Sequence, residues 1–384
     1  MDIRQLLAVM VERNASDLYL SVDSPPVLRI EGVTEPFGAE RLNVAAVEAL
    51  AMSLMSERQR AVFEEKLEMN LAVNSERLGR FRVNVYRQRG AVAVVVRQIK
   101  SHIPTFEELG LPPVLKSIAL SRRGLVLVTG AAGSGKSTTQ AAMLDYRNEN
   151  TSGHILAVED PIEFVHTHKN CIVSQREVGF DTISFGEALR NTLRQAPDVI
   201  LIGEVRDLET MEAAITFAET GHLCLATLHS NNANQAIERV LNFFPASRHG
   251  EIFLQFSLNL RSIISQRLVP GLDGKRVAAC EILVDTPWIK DLIKKGEVDT
   301  LKEAMEQSTH EGGQTFDQAL YKLYAEDRIS LEQALANADS SNNLRIRIQN
   351  LDLSRQTKKK HPLGHEPDDF RIEGVTPTPH LRRL

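Results

Sequence analysis

Apolar residues in the first hundred positions follow helical spacing in some segments and strand-like alternation in others. Helices are predicted by Ile3, Leu6, Leu7 and Met10 and by the Ala-, Leu-, Met- and Glu-rich residues 44–67. Strands are predicted at residues 17–21, 27–30, 80–87 and 91–97, the last two joined as a hairpin at Arg89 and Gly90. This mixture predicts a small α+β domain over residues 1–100.

The pattern changes after residue 100. Residues 101–111 include Pro104 and Gly110 and are predicted to form a linker. Short, nearly all-apolar strands are then predicted at residues 125–129, 154–158, 199–202 and 223–227, with helices between them near 136–149, 184–195 and 207–220. Strands of this kind occur in parallel sheets covered on both faces. We therefore predict an α/β domain over residues 112–345.

The rest of this α/β domain is predicted to be mostly helical. The predicted helices cover residues 112–120, 233–244, 248–265, 289–301, 315–326 and 330–337, and one further strand covers residues 276–283. The composition changes after about residue 340: Ser-Ser-Asn-Asn occupies residues 340–343, and Lys, Arg and Pro become frequent further on. We expect residues 346–384 to be a disordered or partner-docked tail, in which basic residues either are simply solvated or touch anionic lipid.

A glycine-rich loop follows the first strand of the predicted parallel sheet. The loop and the first helical turn contain Gly130, Gly133, Ser134, Gly135, Lys136, Ser137 and Thr138. Glycines let the backbone bend tightly and aim its N–H groups at a triphosphate, and the helix N-terminus adds to the attraction. We predict that Lys136 reaches the β- and γ-phosphates and that the Ser137 hydroxyl coordinates Mg²⁺. A plain Gly/Ser turn is the weaker alternative.

Carboxylates follow two other predicted strands. Glu204 ends an apolar strand, as the acid of a Walker B motif does, and is predicted to hold Mg²⁺ through water. Glu159, Asp160 and Glu163 follow residues 154–158; Glu163 is the candidate general base, and the other two are candidates for holding magnesium-bound water or orienting neighbours. If no triphosphate binds, the apolar strand that ends in Glu204 is explained by chance. Residues 159–163 are then explained as a solvated polar turn.

Histidines and arginines supply further candidates. His222 and His229 lie at opposite ends of a predicted strand, which places only His229 at the nucleotide end; each is alternatively an ordinary structural histidine. His166 and His168 lack an evident third ligand, so no metal is assigned to them. Alternation in residues 80–87 places Arg80, Arg82 and Asn84 on one face, and a charged edge strand is the alternative.

Composition excludes several classes of protein. The 384 residues are 42% apolar and 25% charged, as in ordinary globular proteins, and the formal net charge of −5 does not favour general nucleic-acid binding. The three cysteines are far apart, which argues against a disulfide framework or a zinc module. No signal-peptide pattern and no membrane-spanning apolar run occur, so we expect a cytoplasmic protein that meets membranes only through partners.

Taken together, these motifs resemble the PilT-type ATPases of the type II/IV secretion and type IV pilus superfamily. The resemblance rests on the order and spacing of residues 130–138, 159–163, 203–204 and 220–229, with residues 15–18 and 79–82 in support, and it covers about residues 1–345. It implies a hexameric ring in which a PAS-like N-terminal domain and a RecA-like ATPase domain enclose ATP and Mg²⁺.

The resemblance also implies roles for individual residues. Glu163 matches the catalytic glutamate and Glu204 the Walker B glutamate, while His222 and His229 match the family's histidine box. Arg82 and Arg97 match hairpin arginines that contact nucleotide phosphates, which outweighs the edge-strand interpretation for these two residues. Hydrolysis and domain closure are then coupled.

Departures from the PilT pattern narrow the hypothesis. The segment around Trp288, the residues Ala131 and Ala132, and the extended tail resemble the PilU branch, whose members accompany PilT in pilus retraction. The leading hypothesis is a retraction motor acting with a PilT-like ATPase and an inner-membrane platform protein, at the cytoplasmic face of that membrane. The alternatives are an ATP-binding adaptor ring with dispensable hydrolysis and, more weakly, a nucleic-acid translocase.

Overall fold

The computed structural model describes residues 2–30, 32–99 and 102–360. The first part of the chain forms a six-stranded antiparallel sheet with three helices. The strands are β1 (Asp17–Leu20), β2 (Val27–Ile30), β3 (Val33–Pro36), β4 (Glu68–Ser75), β5 (Gly79–Gln88) and β6 (Ala91–Ile99), in the spatial order β3-β2-β1-β6-β5-β4. The helices are α1 (Ile3–Glu12), α2 (Val44–Leu54) and α3 (Glu57–Lys66). The predicted α+β class is confirmed.

One face of this sheet is apolar, and the other carries arginines among other polar side chains. Phe81, Val83 and Val85 of β5 are fully buried in a cluster that also contains the apolar face of α1. Because side chains alternate along a strand, Arg80 and Arg82 lie on the opposite face. The edge-strand interpretation is wrong, since β5 lies between β4 and β6.

The second part of the chain is a seven-stranded sheet. Its strands are β7 (Gly124–Thr129), β8 (Gly153–Glu159), β9 (Cys171–Glu177), β10 (Val199–Ile202), β11 (Leu223–Leu228), β12 (Leu260–Pro270) and β13 (Arg276–Val284), in the order β13-β12-β7-β11-β10-β8-β9. All neighbouring pairs are parallel except β12 with β13. The carboxyl ends of β7 to β12 therefore meet at one edge of the sheet.

Helices cover both faces of this sheet. They are α4 (Phe106–Leu109), α5 (Val114–Ala119), α6 (Lys136–Asn150), α7 (Phe185–Thr192), α8 (Leu208–Glu219), α9 (Ala233–Leu241), α10 (His249–Asn259), α11 (Pro287–Lys295), α12 (Leu301–Gln307), α13 (Phe316–Ala325), α14 (Leu331–Ala336) and α15 (Ser341–Lys360). Successive residues of β7 alternate between the two cores: Leu125 and Leu127 face one, Val126 and Val128 the other. The predicted RecA-like α/β architecture is confirmed.

Three predicted helices differ from those in the structure. Residues 44–67 form two helices, because Met55 is extended and Ser56 caps α3. The helix predicted at residues 248–265 ends at Asn259, where the chain joins the sheet between β7 and β13. The helix predicted at residues 289–301 is interrupted by Gly296, whose φ of 76° ends α11.

The predicted linker and tail also need correction. Phe106 and Leu111 are buried against the second sheet, so residues 105–111 are part of its packing, while Lys100 and Ser101 lie outside the described residues. The tail predicted from residue 346 begins inside α15, which packs through buried Leu344 and Ile348. Residues 361–384 lie outside the described range. No helix in the described part of the chain is long and apolar enough to cross a membrane.

Candidate functional site

The loop between β7 and α6 has a backbone that requires glycine. Gly130, Gly133 and Gly135 have φ values of 145°, 75° and 89°, which side-chain-bearing residues rarely adopt. A Cβ atom on Gly130 would come within 2.5 Å of the Gln266 carbonyl oxygen and the Ser134 hydroxyl oxygen. The buried Ser134 hydroxyl has no hydrogen-bond partner among the residues that the structure describes. The loop is thus built for close approach to its backbone.

Lys136 begins α6 and turns back into the loop. Its ammonium group donates hydrogen bonds to the carbonyl oxygens of Gly130, at 2.9 Å, and Ala131, at 2.8 Å. Burial lowers the pKa of Lys136, and the negative charge of Glu204 opposes that shift. The lysine is therefore held beside the loop by weak acceptors that a stronger anion can displace.

Glu159 and Asp160 lie where β8 ends. The Gln175 amide nitrogen donates to Glu159 Oε1 at 2.9 Å. Burial raises the pKa of Glu159 to about 7; the Gln175 hydrogen bond opposes this shift and the charge of Glu163 adds to it. Glu163 itself is exposed between two buried apolar residues, Ile162 and Phe164. The segment is thus anchored by its apolar side chains and presents Glu163 to solvent.

Glu204 follows β10 and lies beside Arg206 and His229. Arg206 donates a hydrogen bond to Glu204 Oε1, and the same guanidinium lies 3.5 Å from Asp160 Oδ2. The Nε2 atom of His229 lies 3.5 Å from Glu204 Oε2. Arg206 therefore bridges the acidic ends of two adjacent strands, β8 and β10.

These groups line one cleft with a volume of about 260 Å³ at the carboxyl edge of the sheet. The predicted residues that line it are Gly133, Lys136, Ser137, Glu159, Asp160, Glu163, Glu204 and His229. Gly130 lines an adjoining cavity on the other side of the loop. Ser134, Gly135 and Thr138 belong to the loop and the first turn of α6 but are not among the lining residues.

His222 is not brought to this cleft. It precedes β11, whereas His229 follows that strand, so roughly 20 Å of extended chain separates them. The His222 Nδ1 atom lies 3.1 Å from the Thr220 hydroxyl and 3.2 Å from the Phe217 carbonyl oxygen. Within this chain, the contacts of His222 are those of a residue that follows a helix end, so its assignment to the nucleotide site stays a prediction.

Two arginines of the β5–β6 hairpin lie on the side of the first sheet that faces the acidic segment (residues 159–166). Arg82 and Arg97 are direct partners on β5 and β6. The Arg97 Nε atom donates to Asp17 Oδ1 at 2.8 Å; this hydrogen bond raises the pKa of Arg97, and the negative charge of Glu163 contributes to the same shift. The Arg82 side chain makes no hydrogen bond among the described residues, although its backbone pairs with β4 and β6.

Three residues of the site were not assigned a role from the sequence. Arg206 stands two positions after Glu204, and a search for cations near predicted acidic strand ends would have found it. Gln175 lies on β9, which was not predicted, and Arg80 pairs with Glu177 through a contact between residues 97 positions apart. Only tertiary structure reveals the last two.

Cysteine and histidine chemistry contributes little here. Cys171, Cys224 and Cys280 are free and buried. Burial lowers the pKa of His166 to about 4, and His168 Nδ1 accepts the Val173 N–H at 3.0 Å. No cluster of three or more His, Cys, Asp or Glu side chains suited to a metal occurs within the described ranges 2–30, 32–99 and 102–360.

The fold and site define a P-loop nucleotide-binding protein with a RecA-like sheet and an additional N-terminal α+β domain. A family model described as Type II/IV secretion system protein matches residues 2–363. The chain belongs to this family.

Individual relatives refine this assignment. The chain is 54% identical over 377 residues to the type IV pilus ATPase PilU of Pseudomonas aeruginosa, covering 98% of this chain and 95% of that protein. It is 46% identical over 338 residues to the type IV pilus retractation ATPase PilT of the same organism, covering 88% and 98%. The crystal structure of the pilus retraction motor PilT with bound ADP matches with a TM-score of 0.84 and 42% identity, over 90% of this chain and 99% of that one. The predicted resemblance to the PilT and PilU group is confirmed.

Proposed function

We propose that this protein is an ATP-hydrolysing motor of type IV pilus retraction. The observation that carries the proposal is the cleft itself, where Lys136, Glu163 and Glu204 converge from three separate segments. A basic group for phosphates, a free carboxylate and a strand-end acid are the parts that phosphoryl transfer to water requires. The similarity to PilT and PilU supplies the pilus context.

The residues present fit ATP with Mg²⁺. Gly133 has open space where a Cβ atom would lie, so a phosphate can approach the loop backbone there; the buried Ser134 hydroxyl has no hydrogen-bond partner in the described part of the chain. We assign Ser137 and, through water, Glu204 as the groups that hold Mg²⁺, which neutralises phosphate charge when bound. Mg²⁺ commonly takes few protein ligands, so a full protein cage is not required. Lys136 exchanges its carbonyl partners for phosphate oxygens.

We assign the chemical step to Glu163. Its exposed carboxylate accepts a proton from the attacking water, as a general base does. His229, beside Glu204, senses the γ-phosphate, and Glu159 and Asp160 orient the groups around the metal. Arg82 and Arg97 stabilise phosphate charge when the N-terminal domain closes on the cleft, which couples hydrolysis to domain motion.

The assembly we propose is a homo-hexameric ring that acts as a PilU-like accessory to a PilT-like ATPase. It docks on the inner-membrane platform protein of the pilus, from the cytoplasmic face. The 54% identity to PilU supports the accessory role, and Trp288, 39% exposed on α11, marks a segment that departs from PilT. An adaptor ring whose own hydrolysis is dispensable is the second candidate, favoured by that same segment.

The test is ATP turnover by the purified full chain, alone and with a PilT-type ATPase, together with its native mass. Lys136→Ala should abolish nucleotide binding, whereas Glu163→Gln should keep ATP bound while turnover falls about 100-fold or more. Glu187→Gln, an exposed acid on α7, is the matched control. Turnover by Glu163→Gln at the wild-type rate would remove Glu163 as the base.

The adaptor candidate is separated from the motor in cells. A strain that carries Glu163→Gln in this protein and retains its PilT-type ATPase should lose the retraction function contributed by this chain. Normal retraction in that strain, together with loss of retraction on deletion of the whole chain, would instead establish the adaptor.

A further inference from the structure

Strand β9 carries a side chain that contacts the acidic segment at both of its ends. The Gln175 amide nitrogen donates to Glu159 Oε1 at 2.9 Å and to the Phe164 carbonyl oxygen at 2.8 Å. The amide oxygen of the same side chain accepts the His166 backbone N–H at 2.9 Å. Glu163 lies between these contacts, so one amide closes the turn that presents the proposed base.

These three contacts need an amide. A primary amide has two N–H donors and one carbonyl oxygen, and both donors and the oxygen of Gln175 are used. Glutamate at this position would lose both donors and would set a carboxylate against Glu159, while methionine would retain the shape and lose all three hydrogen bonds. Two acceptors and one donor of residues 159–166 face position 175, and only an amide side chain satisfies all three.

Apolar packing alone does not account for the geometry. Ile162 and Phe164 are 2% and 8% exposed, and they fix which side of the segment faces the protein. The turn also has polar contacts of its own: the Glu163 backbone N–H donates to Glu159, and the Ile162 backbone N–H donates to Glu177. Gln175 adds contacts at residues 159, 164 and 166, and it pairs in register with Ala157 of β8. Its backbone position is thus set by the sheet.

We propose that Gln175 is a positioning residue for ATP hydrolysis, holding the turn of residues 159–166 so that Glu163 faces the cleft. The inference rests on the proposed function, because it acts through Glu163. Gln175 itself takes no part in proton transfer. Its loss should therefore lower kcat and leave nucleotide binding, which depends on Lys136 and the glycine loop, within about threefold of wild type.

The experiment compares Gln175→Met with Gln314→Met in the full chain, under conditions in which the wild type turns over ATP. Gln314 is a matched control, because its half-buried amide donates to the Cys280 carbonyl oxygen at 2.7 Å and does not line the cleft. We expect kcat to fall at least tenfold in Gln175→Met only, with melting temperatures that agree within a few degrees. Wild-type kcat in Gln175→Met, or an equal loss in both variants, overturns the inference.

A second variant separates this inference from the function on which it depends. In a Glu163→Gln background, adding Gln175→Met should lower the residual rate by less than twofold, because no base remains to be positioned. A further tenfold loss there overturns the positioning role. If Glu163→Gln alone turns over normally, the assignment of Glu163 as the base fails and this inference fails with it. If Glu163→Gln is inactive and Gln175→Met is normal, only this inference fails. If the wild type itself does not hydrolyse ATP, the proposed function fails.

Hydrogen exchange gives a readout that does not require turnover. The His166 amide is protected by its hydrogen bond to Gln175, so exchange in residues 160–168 should accelerate about tenfold or more in Gln175→Met. Exchange elsewhere, including the strands of the second sheet, should match the wild type. Unchanged protection of this segment overturns the inference, whether or not the protein hydrolyses ATP.

Discussion

Arg80 on β5 and Glu177 at the end of β9 form an ion pair that joins the two sheets, with 3.0 Å between Nη2 and Oε2. The Glu177 side chain is only 2% exposed, and burial raises its pKa, whereas the charges of Arg80 and Arg82 oppose that shift. The pair anchors the N-terminal domain to the same strand that carries Gln175. Strand β9 therefore provides both a contact between the two domains and the hydrogen bonds of Gln175 to residues 159–166.

Arg80→Met should destabilise the protein by about 3 kcal/mol, because it leaves a buried carboxylate without its partner. The double variant Arg80→Met with Glu177→Gln should recover part of that loss, since no unpaired charge remains. Urea unfolding of the two single variants and the double variant measures the coupling. Strictly additive effects would show that the two side chains do not depend on one another.

Arg206→Ala should weaken ATP binding about three- to fivefold, which corresponds to roughly 1 kcal/mol for a solvent-exposed cation. The reason is that Glu204 and Asp160 would then face the cleft without their shared counter-ion and repel the triphosphate. Binding of a fluorescent ATP analogue at low and high salt is the measurement, with a smaller effect at high salt. Arg248→Ala, which removes surface ion pairs outside the cleft, serves as control. Equal affinities for both variants would contradict the bridging role.

Glu281 should make stability fall as the pH rises. Burial raises its pKa from 4.5 to about 7, although the Ala233 N–H and the Ser265 hydroxyl donate to it. The folded state therefore binds this proton more tightly than the unfolded state, so the stabilisation is complete below pH 4.5 and is lost as pH approaches 7.

The variant Glu281→Gln tests this pH dependence. At pH 8 it should be more stable than the wild type by about 1–3 kcal/mol, and the difference should shrink at pH 5. Urea unfolding at the two pH values is the measurement, with exposed Glu332→Gln as control. A difference that is the same at both pH values would show that Glu281 does not titrate in this range.

Helix α15 should contribute to the stability of the second domain. Leu344 is fully buried in a cluster with Leu320 and Leu323 of α13, so Leu344→Ala should cost about 2–5 kcal/mol. Ile346, on the same helix, is 57% exposed, and Ile346→Ala should change stability by less than about 0.5 kcal/mol. Urea unfolding of both variants is the measurement. If α15 were an unpacked tail, the loss of stability would be small in both variants.

Local sequence signals were sufficient for the central strands β7, β8, β10 and β11 and for the glycine loop. The run Val199–Ile202 forms a strand with the predicted bounds because four consecutive apolar residues suit a strand that is covered on both faces. Gly130 and Lys136 were recognisable because the residues that form the loop follow one another in the sequence. The acids that follow β8 and β10 were placed at one edge by the rule that parallel strands end together.

Tertiary contacts decided what the sequence did not reveal. Leu260–Pro270 continues from a helix with no break in its apolar pattern, yet its pairing with β7 and β13 makes it a strand. Cys171–Glu177 mixes polar and apolar residues because it is the last strand of the sheet, and its Ile172 is 64% exposed. The partners of Gln175 and Arg80 depend on that strand, and hence remained unassigned.

Arg97 already has a carboxylate partner, and this affects how it can serve a nucleotide. Asp17, 3% exposed, accepts a hydrogen bond from Arg97 and lies 3.9 Å from Arg29. A phosphate that draws Arg97 away would leave Asp17 paired with Arg29. Phosphate would then replace the Asp17 carboxylate as the partner of Arg97. The driving force would be only the difference between the affinities of Arg97 for these two anions. Such an exchange would be readily reversed when phosphate departs, as the proposed cycle of ATP hydrolysis requires.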